Sequence, residues 1–117
     1  MKKDPIIFID LILESILLIE TYIQNHTEES FNESRQLQDS CIRRLEIIGE
    51  AIKNLPLRLK TAIPQIPWRN VAGMRDILIH EYFGVDLELT WRVLSKELPI
   101  LKRNISSLRS SITDGSV

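Results

Sequence analysis

The chain has 117 residues with 15 basic and 16 acidic side chains, a single domain's worth of sequence that is not a uniformly basic polyanion binder. Apolar residues at 44% and charged residues at 26% belong to a soluble globular domain, and four Gly with five Pro are too few for a turn-rich all-β sandwich. The single Cys41 excludes an intramolecular disulfide and a cysteine-built zinc site, and fits a reducing interior. The most apolar stretch, residues 6–23, is interrupted by Asp10, Glu14 and Glu20, which argues against a membrane span. No small-residue cleavage site follows it, so it does not read as a secretion signal. The expectation is one cytoplasmic domain over residues 1–117, with a frayed tail from about residue 113 and no membrane partner.

The chain reads as helix throughout. Asp4 and Pro5 form an N-cap with proline at the first helical position, opening a helix that runs to about Gln24. On a helical wheel Asp10, Glu14, Thr21 and Gln24 fall in one narrow polar stripe, and apolar side chains cover most of the rest. That is more apolar surface than one core requires, so the helix asks for a second neighbour, which in so short a chain points to another copy of the protein. A polar connection follows (residues 25–34), with room for a short helical turn. The second long helix spans roughly Ser34 to Leu55, with Cys41, Leu45, Ile48, Ile52 and Leu55 as its apolar seam. Pro56, Pro64 and Pro67 break the next stretch into short pieces, with a single helical turn between Leu57 and Ala62. A third helix starts at Pro67 or Trp68, runs to about Tyr82 and ends at Gly84. Asp86 caps the last helix, Leu87 to about Ile112, whose seam is Leu94, Leu98, Leu101, Ile105, Leu108 and Ile112. Pro99 should kink or interrupt it. The fold class is therefore all-α: an antiparallel four-helix bundle with an extra short helix allowed, and homodimeric.

Residues 68–86 carry the chemistry. Val71, Met74, Ile77 and Leu78 share the arc of a core-facing helix; the opposite arc holds Ala72, Gly73, Arg75, Asp76 and His80. Ala72 and Gly73 strip that surface of bulk, so that another helix or a ligand can come close. Arg75 and His80 lie about 140° apart around the helix and flank a shallow groove. Imidazole moves protons near neutrality, and guanidinium grips phosphate oxygens and stabilises charge gained in a phosphoryl transition state. RNA brings its own nucleophile in the 2′-hydroxyl, so Arg with His, doubled across a two-fold axis, suffices for cleavage with no metal and no cofactor. Asp76, one turn before His80, can orient the imidazole or repel a misplaced phosphate.

Arg75, four residues, His80, one residue and Tyr82 resemble the signature of the HEPN superfamily, specifically its HepT-like toxins. The segments RRLEIIGEAIKNLP and MRDILIHEYFGVD are similar to that family's, and the resemblance covers essentially the whole chain. It implies a helical homodimer with its cleft at the subunit boundary, and an endoribonuclease with catalytic Arg75 and His80. It further implies a toxin–antitoxin pair in which a cognate minimal nucleotidyltransferase antitoxin attaches AMP to Tyr82. An adenylate there would lie close to Arg75, about 20° away on the wheel, and compete with RNA phosphate for the guanidinium.

Structural roles stand beside these. His80 alone also fits a helix-end histidine bonding a free carbonyl, Arg75 a surface ion pair with Glu81, and Tyr82 a bundle-edge tyrosine. Glu46 and Glu50, spaced i, i+4 with Arg43 before them and no Glu-x-x-His, read as salt-bridged carboxylates that could position Arg75, in preference to a di-metal site. His26 reads as solvated, and Trp68 and Trp91 as packing anchors. Arg43–Arg44, Arg58 with Lys60, and Lys102–Arg103 are scattered basic pairs that read as solvated faces, with one or two of them free to border the cleft and hold RNA phosphates. The rival to the nuclease is a non-catalytic helical dimer that binds a nucleotide or a partner, or that serves only to dimerise.

Overall fold

The Asp4 carboxylate accepts a hydrogen bond from the Ile6 N–H at 3.0 Å, and Pro5 takes the first helical position. A proline there forgoes an N–H that no helix could use, so the cap and the ring together fix where helix α1 (Pro5–Ile23) begins. The computed structural model describes residues 4–61, 63 and 87–115. All regular structure among the described residues is helical: α1; α2 (Glu28–Asn32); α3 (Arg35–Lys53); α4 (Leu57–Lys60); and a rod made of α5 (Leu87–Arg92), a π-helical turn (Val93–Glu97) and α6 (Leu98–Thr113). The expected third helix, with its core arc Val71, Met74, Ile77 and Leu78 and its ending at Gly84, lies outside the described residues, as do Trp68 and Asp86, the expected cap of the last helix.

Local chemistry sets each boundary. Asn25 takes a positive φ of 68°, a conformation its short polar side chain tolerates, and turns the chain out of α1. Thr27 and Ser30 then cap α2 reciprocally: each side-chain oxygen accepts from the other residue's backbone N–H, at 2.9 and 3.1 Å. Ser34 caps α3 by accepting from Leu37 N–H at 3.1 Å. The buried Gln38 donates from Nε2 to the Phe31 and Asn32 carbonyls at 2.9 and 3.1 Å, satisfying the open end of α2.

Pro99 neither breaks the last helix nor leaves it regular. Its ring has no N–H for the Ser95 carbonyl and would crowd that oxygen in an α-helix. The turn just before it widens instead: the Leu98 N–H reaches back five residues to the Val93 carbonyl, and helix resumes.

The core is the layer where these helices meet. Ile9, Ile12, Ile16 and Ile19 of α1 are fully buried, packed with Cys41, Leu45 and Ile48 of α3 and with Leu98, Leu101 and Ile105 of α6. The apolar seams expected for α3 and for the last helix are thus the buried ones, with Ile112 only partly covered. Trp91 packs on Phe31 with ring centroids 5.4 Å apart, an anchor as expected. Two ion pairs tie α1 to α6 in antiparallel register: Arg109 Nε to Asp10 Oδ1 at 2.7 Å and Lys102 Nζ to Glu20 Oε1 at 3.0 Å. The polar stripe Asp10, Glu14, Thr21 and Gln24 is exposed, yet Ile7 and Leu17 of the same helix are also 53% exposed. No helix among the described residues is long and apolar enough to cross a membrane.

Candidate functional site

Arg75, Asp76, His80 and Tyr82 lie outside the described residues. What the structure describes is the helices that precede and follow that segment in the chain, and the distribution of charge on them.

A groove of about 410 Å³ runs between α1 and α3. Phe8 and Leu11 supply its apolar side from α1; Arg43, Glu46, Glu50 and Asn54 line it from α3, at steps of three and four that put them on one helix face. The two carboxylates paired by their spacing therefore open on one trough. Arg43 meets Glu46 at 3.9 Å, a long contact whose arginine is mostly exposed, in the class of surface pairs that contribute about 0–1 kcal/mol. Among the described residues no group of three or more His, Cys, Asp or Glu is placed to hold a metal ion.

The remaining polar groups sort by role. His26 is exposed, with Nδ1 3.0 Å from Ser30 Oγ, beside the cap of α2. Cys41 is fully buried, and burial pushes its thiol up to about 12, which keeps it protonated and unreactive as a nucleophile at neutral pH. Arg109 is held still more firmly in its charged form by the hydrogen bond and negative charge of Asp10.

The basic pairs that look equivalent in the sequence are not equivalent in space. Lys102 turns to α1 and its Glu20 partner, whereas its neighbour Arg103 faces solvent. Arg92 and Lys96 are exposed on the same rod, and none of these three cations pairs with a carboxylate among the described residues. Successive residues on a helix point about 100° apart, so helical phase, more than the dipeptide Lys-Arg, was the signal for telling Lys102 from Arg103.

Residues 12–108 match the family model described as ribonuclease HepT-like. Over 112 residues the chain is 53% identical to the Methanocaldococcus jannaschii protein named "Gamma-glutamylcyclotransferase and putative RNase"; that match covers 96% of this chain but 50% of the relative. It is 43% identical over 109 residues to the "Probable ribonuclease HepT" of Thermococcus cleftensis, covering 93% of this chain and 99% of that one. No solved structure matches the chain significantly.

Proposed function

This chain belongs to the HepT-like ribonuclease family, and from that premise we propose that it is a metal-independent endoribonuclease, the toxin of a toxin–antitoxin pair. The helices form a four-helix bundle that pairs with a second copy, and the cleft between copies brings together two Arg75 and two His80 side chains. The observation that carries this reading is the full-length match to a protein named as a ribonuclease, joined to an Arg–His pair whose chemistry suits RNA cleavage.

In the reaction the 2′-hydroxyl attacks the adjacent phosphorus and the bond from phosphorus to the 5′-oxygen breaks. One imidazole accepts the 2′-hydroxyl proton and the other supplies a proton to the leaving 5′-oxygen, so the products are a 2′,3′-cyclic phosphate and a 5′-hydroxyl. Arg75 holds the phosphoryl oxygens as charge gathers on them. Asp76 orients His80. The half-exposed Ile7 and Leu17 of α1 support the second copy, since a helix this apolar is not fully covered within one chain. A nucleotidyltransferase antitoxin silences the site by transferring AMP from ATP to the Tyr82 hydroxyl, with pyrophosphate as the leaving group and loss of the phenolic proton; the added phosphodiester then occupies the guanidinium.

The test is cleavage of single-stranded RNA in EDTA by the protein and by its Arg75→Ala and His80→Ala variants. Cleavage by the unsubstituted protein that falls at least 100-fold in both variants is expected. Undiminished cutting by either variant would remove that residue from the catalytic site, and binding of RNA or nucleotide by the unsubstituted protein without any cutting would favour the non-catalytic dimer.

A further inference from the structure

Between Leu89 and Thr113 the last rod contains one acidic residue, Glu97, and that side chain is largely turned away from solvent. The same stretch carries five cations, and the fold divides them. Lys102 and Arg109 face α1 and are neutralised there by Glu20 and Asp10. Arg92, Lys96 and Arg103 are exposed on the side away from the buried seam Leu94, Leu98, Leu101, Ile105 and Leu108, and have no carboxylate partner among the described residues. A chain with nearly balanced charge thus concentrates, on the outer side of one helix, three cations that no carboxylate among the described residues pairs.

We infer that this outer side is a binding strip for the phosphate backbone of single-stranded RNA, an inference that rests on the ribonuclease reading and extends it to substrate capture. Three features suit the task. The cations follow one another at i, i+4 and i+11, so Arg92 and Arg103 stand roughly 16 Å apart at 1.5 Å per residue. An extended single strand spaces its phosphates more widely than the roughly 3.4 Å rise of a duplex strand, so the strip meets a few consecutive nucleotides. Ile100, 43% exposed between Lys96 and Arg103, offers an apolar surface against which a ribose or base can lie. Beyond Arg103, the exposed Ser107 and Ser110 continue the strip with hydroxyl donors. Glu88, exposed one turn before Arg92, and Asp114 after the helix bound the strip at its two ends and would repel a strand that overran them. Nothing in this surface reads base identity, so it captures RNA without sequence preference.

The experiment measures affinity, not cleavage. A fluorescein-labelled 20-nucleotide RNA with 2′-O-methyl riboses, which has no 2′-hydroxyl nucleophile, is titrated with the full chain at several salt concentrations. The variants are Arg92→Gln/Lys96→Gln/Arg103→Gln and, removing equal charge elsewhere, Lys53→Gln/Arg58→Gln/Lys60→Gln. The strip variant should bind at least tenfold more weakly at 0.1 M salt, with the slope of log K against log salt flatter by about 2, since each lost single-strand phosphate contact removes about 0.7. The second variant should stay within threefold of the parent. Equal weakening in both variants, unchanged binding in the first, or no measurable binding by the unsubstituted protein would overturn the strip. The catalytic reading fails separately, if Arg75→Ala or His80→Ala still cuts RNA.

Discussion

The Leu98 N–H bonds to the carbonyl of Val93, one residue further back than an α-helix reaches, and Pro99 follows at once. The widened turn and the proline are one feature: the ring removes a bond and the π turn rearranges those around it. Ser95 adds a side-chain bond within the turn, donating from Oγ to the Trp91 carbonyl at 2.7 Å.

A proline inside an undistorted α-helix costs about 3 kcal/mol or more. If the π turn has already absorbed that cost, Pro99→Ala will change stability by less than about 1 kcal/mol in urea unfolding, despite the better helix former. A stabilisation near 3 kcal/mol would mean that the strain persists.

Cys41 provides a pH test of the core. Its thiol is lifted from an ordinary 9.0 to about 12 by burial, so below pH 8 both folded and unfolded chains hold the proton. Above pH 9 only the unfolded chain ionises, and stability falls with rising pH by about 1.4 kcal/mol per unit until about pH 12. Between pH 8 and pH 10 the parent should therefore lose about 1.4 kcal/mol more than Cys41→Ala does. Parallel losses would show that the thiol is not sealed from water.

Leu17 tests the second copy. A buried isoleucine of α1 such as Ile16 should cost about 2–5 kcal/mol when cut to alanine. Ile7→Ser/Leu17→Ser, at half-exposed positions, should leave the far-ultraviolet circular dichroism intact and shift the sedimentation coefficient from dimer to monomer. A parent that already sediments as a monomer, or a variant that stays dimeric, would remove α1 from the contact.

The starts of α1 and α3 were legible because they are written in local chemistry: Asp4 before Pro5, and Ser34 ahead of a seam read from Cys41 onward. The core was legible for a similar reason, since steps of three and four among Cys41, Leu45, Ile48 and Ile52 leave only one face to bury. Helix α2 read as a polar connection with room for a short helical turn, which is what forms; its bounds were not legible because its capping partner is Ser30 where a Glu or Gln is usual. Pro99 announced a fault but not its remedy, which depends on neighbours that hold Leu94 and Leu98 against the core through the widened turn. At the candidate site, Arg75 and His80 were legible as residue types at a spacing. A symmetry axis that would bring two such pairs together is encoded in no spacing; helical phase separates Lys102 from Arg103, but the carboxylate that Lys102 meets emerges only once α1 is packed beside α6.

The pairing of Asp10 with Arg109 and of Glu20 with Lys102 also bears on synthesis at the ribosome. Helix α1 emerges well before the partner that closes its second side, since 74 residues lie between Ile23 and Leu98. Until then, among the described helices, α3 is the main surface its isoleucines can rest on. The nascent chain therefore passes through a stage with greasy surface uncovered, and a cell that makes this protein quickly would need chaperones to shield it.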